Sequence, residues 1–166
     1  MRLGHARPSG RASQTSLADC GAAREWMRIG LVALALPCTA LGVWLYLEPH
    51  TFYADFPGFG AHWVSPMGPY SQHAFSDFGG ALLGLSLVVW AAARSLEHGL
   101  VRVALLAVLV WGTAHFTYHM MHLNMMSTVA DVENQTALSY FIILPAALLI
   151  DMSRTKPRRS LHTRPT

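Results

Sequence analysis

The chain has 166 residues, of which 52% are apolar and only 13% charged, with a mean hydropathy of +0.32. Soluble domains carry about 25% charged residues, so the composition excludes an ordinary water-soluble fold and points to a membrane protein. The net charge of +3 does not imply nucleic acid as a partner, because no basic surface remains once the basic residues are assigned to tails and turns.

In chain order, residues 1–26 are rich in Arg, Ser, Gly and Ala and read as a disordered cytoplasmic tail. Met27-Arg28 resembles a natural start, which leaves Met1 and Met27 both open as the first residue. A transmembrane domain is expected over 27–152. Its first span covers about residues 29–47. The apolar run exceeds a signal peptide's usual 7–15 residues and no small-x-small site follows, so it reads as a retained anchor. Cys20 and Cys38 offer neither a CxxC motif nor a disulfide framework.

Residues 48–77 form the longest connection. They combine Phe52, Tyr53, Phe56, Phe59, Trp63, Tyr70 and Phe75 with Pro57, Pro66 and Pro69 and with Gly58, Gly60 and Gly68, which exclude a long helix. Two readings stay open. The segment is a lid over a cavity, with Tyr53, Asp55, Trp63 and Tyr70 as its candidate residues, or an aromatic anchor at the membrane interface.

The second span is expected over about 78–96, where Gly79, Gly80 and Gly84 permit close helix packing. His98-Gly99 makes the turn, with Gly99 suited to a positive φ. The third span covers about 100–122. The fourth covers about 129–152, opened by Thr128 and Asp131 at capping-box spacing and kinked or locally unwound at Pro145. Residues 153–166 form a basic cytoplasmic tail. Each span is near the ~20 residues that cross ~30 Å of hydrocarbon, and backbone in lipid must satisfy itself, so the spans should be helices.

The 12 Lys and Arg residues all precede span one, flank the turn between spans two and three, or follow span four. Under the positive-inside rule both termini are cytoplasmic. The expected architecture is an all-α, four-helix transmembrane bundle, multi-pass in the cell membrane, in contact with membrane lipid. A homo-oligomer and a membrane-complex partner both stay open.

That topology gathers polar residues at the outer end. His115, His119 and His122 fall within about 60° of one another on a helix at ~100° per residue. His73 and Asp77 open span two, and Asp131, Glu133 and Gln135 open span four. His115 should lie about 10 Å deeper than His122 at 1.5 Å per residue. Ionisable groups at such depth are costly unless paired, hydrated or liganded. Asp77 is the expected carboxylate partner of His115 or His119.

The cluster admits several chemistries. Imidazole with carboxylate suits zinc, and Met126 on the same face would favour copper. Haem would need axial His from facing helices, such as His119 with His73. A quinone would need an apolar pocket and a few hydrogen-bonding groups, which His–Asp pairs and Tyr118 offer. A polar cluster that only fixes helix register is the plainest reading, and a proton-coupled role follows from histidine's titration range. No GxSxG, P-loop, dinucleotide fingerprint or HExxH occurs.

The segments Phe52-Tyr53-Ala54-Asp55-Phe56-Pro57-Gly58, Pro69-Tyr70-Ser71-Gln72-His73 with Asp77-Phe78-Gly79-Gly80, and His115-Phe116-Thr117-Tyr118-His119 with His122-Leu123 resemble small uncharacterised membrane proteins of actinobacteria, akin to the DoxX-like group. The resemblance covers roughly Met27 to Met152. It implies a four-helix membrane layout and a link to quinone-dependent thiosulfate oxidation or redox-stress complexes. It transfers no catalytic residue; Ser71 and Gln72 stand where the resembling proteins carry Asn and Glu. The sequence thus leads to an outward-facing His/Asp site with a redox or binding role for quinone, haem or metal, whether catalytic or not. The alternative is a non-catalytic structural or partner-binding subunit of a membrane complex.

Overall fold

The computed structural model describes residues 11–154, with side chains from Gly21 onward. The basic tail expected over 153–166 lies, past Arg154, outside the described residues, as do residues 1–10. The helices are α1 (Arg11–Leu47), α2 (Pro49–Asp55), α3 (Gln72–Ser95), α4 (His98–Met121) and α5 (Thr128–Arg154). Between α2 and α3 lie a two-residue hairpin, β1 (Pro57–Gly58) with β2 (Ala61–His62), and a 3-10 turn, Ser65–Met67. Four helices are long and apolar enough to cross a membrane: Gly21–Leu47 of α1, and α3, α4 and α5 entire.

The helices pack in the ring order α1, α3, α4, α5, with α1 on α3 the most extensive contact and α5 closing against α1. Small residues set the close approaches. A Cβ at Gly79 would meet the Tyr46 nitrogen at 2.7 Å, and one at Gly112 would meet the Phe141 carbonyl oxygen at 2.6 Å. Gly80 and Gly84 have open space where a Cβ would be, so only one of the three expected small-residue positions serves close packing within the chain. Side chains join the same neighbours. Trp90 Nε1 donates to Thr39 Oγ1 (3.0 Å), and the Thr39 hydroxyl donates onward to Ala35 O (2.7 Å). Tyr140 donates to Ala33 O at 2.8 Å.

The dense core lies toward the end that carries the chain's tails. Leu31, Leu34, Cys38, Val89, Leu105 and Val108 are all fully buried there. Toward the opposite end, which carries α2 and the α4–α5 turn, the four helices stand around a cavity.

Several boundaries differ from the sequence reading. Residues 11–26, expected to be disordered, are helical in α1. Extending an already formed helix needs no new nucleus, and the Ala, Arg, Glu and Leu in this stretch favour it. α3 starts at Gln72 rather than 78, because Ser71 caps it: the Ser71 hydroxyl accepts from Ala74 N at 3.4 Å. Leu96, not Gly99, takes the left-handed position after α3 (φ 50°). Gly99 instead lies in the first turn of α4, where its N–H and that of Leu100 donate to the Glu97 carboxylate at 3.0 and 3.2 Å. The cap of α5 is Ser127, whose hydroxyl accepts from Ala130 N at 3.3 Å. Thr128 is the first helical residue, and Asp131 turns back to accept from Asn124 N at 2.9 Å. α5 is not unwound at Pro145, which is buried within a continuous helix.

Candidate functional site: a capped aromatic cavity

The long connection folds into a compact cap. Pro49 opens α2 in its first turn, where its fixed φ fits and a missing N–H costs nothing. The chain then reverses through the hairpin, whose tip residues Phe59 (φ 56°) and Gly60 (φ 82°) are left-handed. Trp63 N donates to Phe56 O at 2.9 Å. The Tyr53 hydroxyl reaches across the segment to donate to Gly68 O at 2.9 Å. Ring contacts bind these pieces together: Phe52 stacks on Phe56 at 4.5 Å, Phe56 meets Trp63 edge-on at 5.7 Å, and Tyr70 stacks on Phe75 at 5.8 Å.

Under the cap lies a cavity of about 300 Å³. Each helix lines it with one stripe at helical spacing: Phe75, Phe78 and Leu82 on α3; Trp111, His115, Tyr118 and His119 on α4; Asn134, Leu138 and Phe141 on α5. Leu41 and Leu45 complete the wall from α1, and Phe52, Phe56 and Trp63 form the roof. The lining is apolar and aromatic except at a few polar groups.

Those groups are placed as follows. His115 lies nearly parallel to Trp111 (centroids 5.5 Å, 11°) and is stacked also on Phe78 at 6.0 Å. It meets His119 edge-on at 4.9 Å. His119 Nδ1 sits 2.8 Å from Nδ2 of Asn134, a residue only 5% exposed. Trp63 Nε1 is buried and has no hydrogen-bond partner. Gln135 Oε1 is the other such atom among the described residues, but Gln135 does not line the cavity.

The expected cluster therefore divides. His115 and His119 face the cavity together. His73 and Asp77 do not: α3 is already helical there, so the two share a face at i, i+4 spacing and pair with each other at 3.4 Å, with side chains 88% and 68% exposed. The expected contact of Asp77 with His115 or His119 is replaced by Asn134 on α5. His122 lies past the end of α4, so the helical face expected to carry it has ended. Its Nδ1 lies 2.7 Å from Tyr118 O and its ring stacks on Tyr118 at 4.2 Å. Among the described residues no three His, Cys, Asp or Glu side chains are grouped closely enough to hold a metal, so the His115–His119–His122 metal reading has no assembled ligand set. Nor does His73 reach the cavity to serve with His119 as an axial pair.

Of the four candidate lid residues, only Trp63 lines the cavity. Tyr53 and Tyr70 meet at 5.4 Å within the cap, and Asp55 is exposed. Asn134 was missed by the sequence reading, where Glu133-Asn134-Gln135 looks like a uniformly interfacial stretch. The signal present was its place four residues before Leu138 and seven before Phe141, on the stripe that faces α4.

No family model, curated protein or solved structure matches the chain.

Proposed function

We propose that the chain is a four-span membrane protein that binds the ring of a quinone in the capped cavity. The cap faces outward and both termini are cytoplasmic. The orientation rests on the charges: Arg24, Arg28, Arg94, Arg102 and Arg154 cluster at the end away from the cap, and residues 48–77 hold no Lys or Arg.

The observation that carries the ligand class is the Trp63 indole N–H, buried without an acceptor in a residue that lines the cavity. Leaving a buried donor unmet costs about 1–3 kcal/mol, and a ligand carbonyl would recover it. A cavity of about 300 Å³ with aromatic walls lies at the lower end of the range of small-molecule sites. A flat ring fits between such walls, and a quinone carries two carbonyl acceptors on opposite sides of that ring. Trp63 in the roof and His115 or His119 on α4 offer donors from different walls. The apolar surround excludes water, so each such hydrogen bond is stronger than at a surface. A bound quinone supplies two-electron, two-proton chemistry; the chain's own part is to hold and orient the ring.

The test is titration of the detergent-purified protein with a benzoquinone bearing a short alkyl tail. Saturable binding that weakens in Trp63→Phe is expected. A folded protein without saturable binding would overturn the proposal and favour the alternative of a partner-binding subunit.

A further inference from the structure

The polar contact on the α4 wall constrains more than position. Asn134 Nδ2 is an amide nitrogen, a donor with no acceptor capacity. Facing it at 2.8 Å is Nδ1 of His119. A donor at that distance requires a lone pair on Nδ1, so in the neutral ring the proton resides on Nε2. His119 Nε2 has no hydrogen-bond partner among the described residues, and His119 lines the cavity. Asn134 is itself buried in the second turn of α5, and its helix is held against α4 at Gly112. The pair is thus carried by two helices in fixed contact rather than by the cap.

We infer that Asn134 is a positioning residue that fixes His119 as the Nε2–H tautomer, so that the α4 wall presents a donor to the ligand and discriminates in favour of carbonyl acceptors over hydroxyl donors. This rests on the proposed quinone site and adds its specificity: the oxidised ring, with two carbonyls, binds in preference to the reduced ring. Trp63 contributes in the same sense, since indole N–H donates only. A reduced ring can still accept through its hydroxyl oxygens, but its own O–H groups then need acceptors. His115 is the remaining imidazole on the wall; it makes ring contacts with Phe78, Trp111 and His119, and its protonation is not set by an amide partner.

Two readouts test this separately from the proposed function. The first is ¹⁵N NMR of ring-labelled histidine near pH 8, where an ordinary imidazole is neutral, with His119→Gln used for assignment. Nδ1 of His119 should be unprotonated in the native chain. In Asn134→Asp the carboxylate can only accept, so Nδ1 should become protonated, while Asn134→Gln should keep the native pattern. A protonated Nδ1 in the native chain would overturn the inference even if quinone binds. The second readout is the affinity ratio of the oxidised to the reduced short-tail benzoquinone. The native chain should prefer the oxidised form by about fivefold, roughly the worth of one ordinary hydrogen bond. Asn134→Leu should bring the ratio toward unity. An unchanged ratio in a folded Asn134→Leu protein would overturn the specificity claim. An unprotonated Nδ1 in a chain that binds neither ring would overturn the quinone proposal and leave the tautomer assignment standing.

Discussion

Gly112 on α4 lies so close to Phe141 on α5 that a Cβ at 112 would meet the Phe141 carbonyl oxygen at 2.6 Å and its Cβ at 2.9 Å. The atoms in the way belong to backbone and Cβ, which cannot rotate aside. Gly112→Ala should therefore push α4 from α5 and cost about 1–3 kcal/mol, the usual range for overpacking. Gly84→Ala, where a Cβ meets nothing within 4 Å, should leave stability equal or slightly higher. Thermal unfolding of the two purified variants decides it; equal losses would mean that the close approach at 112 is not a tight one.

Trp63→Phe keeps an aromatic roof but removes the unpartnered N–H. It should weaken binding of the oxidised benzoquinone by about 1 kcal/mol, near fivefold, and leave thermal stability unchanged or raised. Binding that stays intact would detach the indole from the ligand.

Tyr53 has a different task from Trp63. Its hydroxyl donates to Gly68 O at 2.9 Å and tethers α2 to the far end of the cap. Tyr53→Phe should cost about 0.5–1.5 kcal/mol. Hydrogen exchange at residues 63–68 should rise while exchange in α1 and α4 stays fixed; uniform protection throughout would show the tether to be idle.

The exposed His73–Asp77 pair should contribute little. Surface pairs at i, i+4 spacing are worth about 0.3–0.5 kcal/mol, so Asp77→Asn should leave both stability and quinone affinity nearly unchanged. His115→Leu removes a cavity-lining imidazole and should change affinity severalfold. Comparable binding losses in the two variants would return Asp77 to the site.

Orientation is accessible to a membrane-impermeant thiol reagent on intact cells, with Cys introduced singly at His62 or His98. Labelling is expected at 62 and not at 98. The reverse pattern would invert the topology read from the charges.

The apolar runs made the four long helices legible, since length and hydropathy are one-dimensional properties. Hydropathy placed the start of α3 late because Gln72, His73, Ser76 and Asp77 are polar, although Ser71 supplies a cap that the chain alone displays. That delay had a consequence for the site. With residues 73–77 read as loop, Asp77 was free to reach His115. Once the segment is helical, Phe78 turns to the cavity and Asp77, about 100° away around the helix, points outward with His73. Asn134 escaped notice for a different reason. Its role depends on the rotation of α5 about its own axis against α4, and the approach of Gly112 to Phe141 sets that rotation. Within the polar triplet Glu133-Asn134-Gln135, only the spacing to Leu138 and Phe141 marks the member that faces inward.

The burial of the bundle is lopsided, with solid packing near the tails and a hollow beneath the cap. Elements with few buried contacts open at much lower free energy than the core. The cap is held by ring contacts, a few hydrogen bonds and one tyrosine tether, whereas the helices are held along their length. For a ligand held in the proposed site, exchange would then be governed chiefly by opening of residues 49–71. Changes in the cap should alter the residence time of such a ligand while the melting temperature of the bundle stands still.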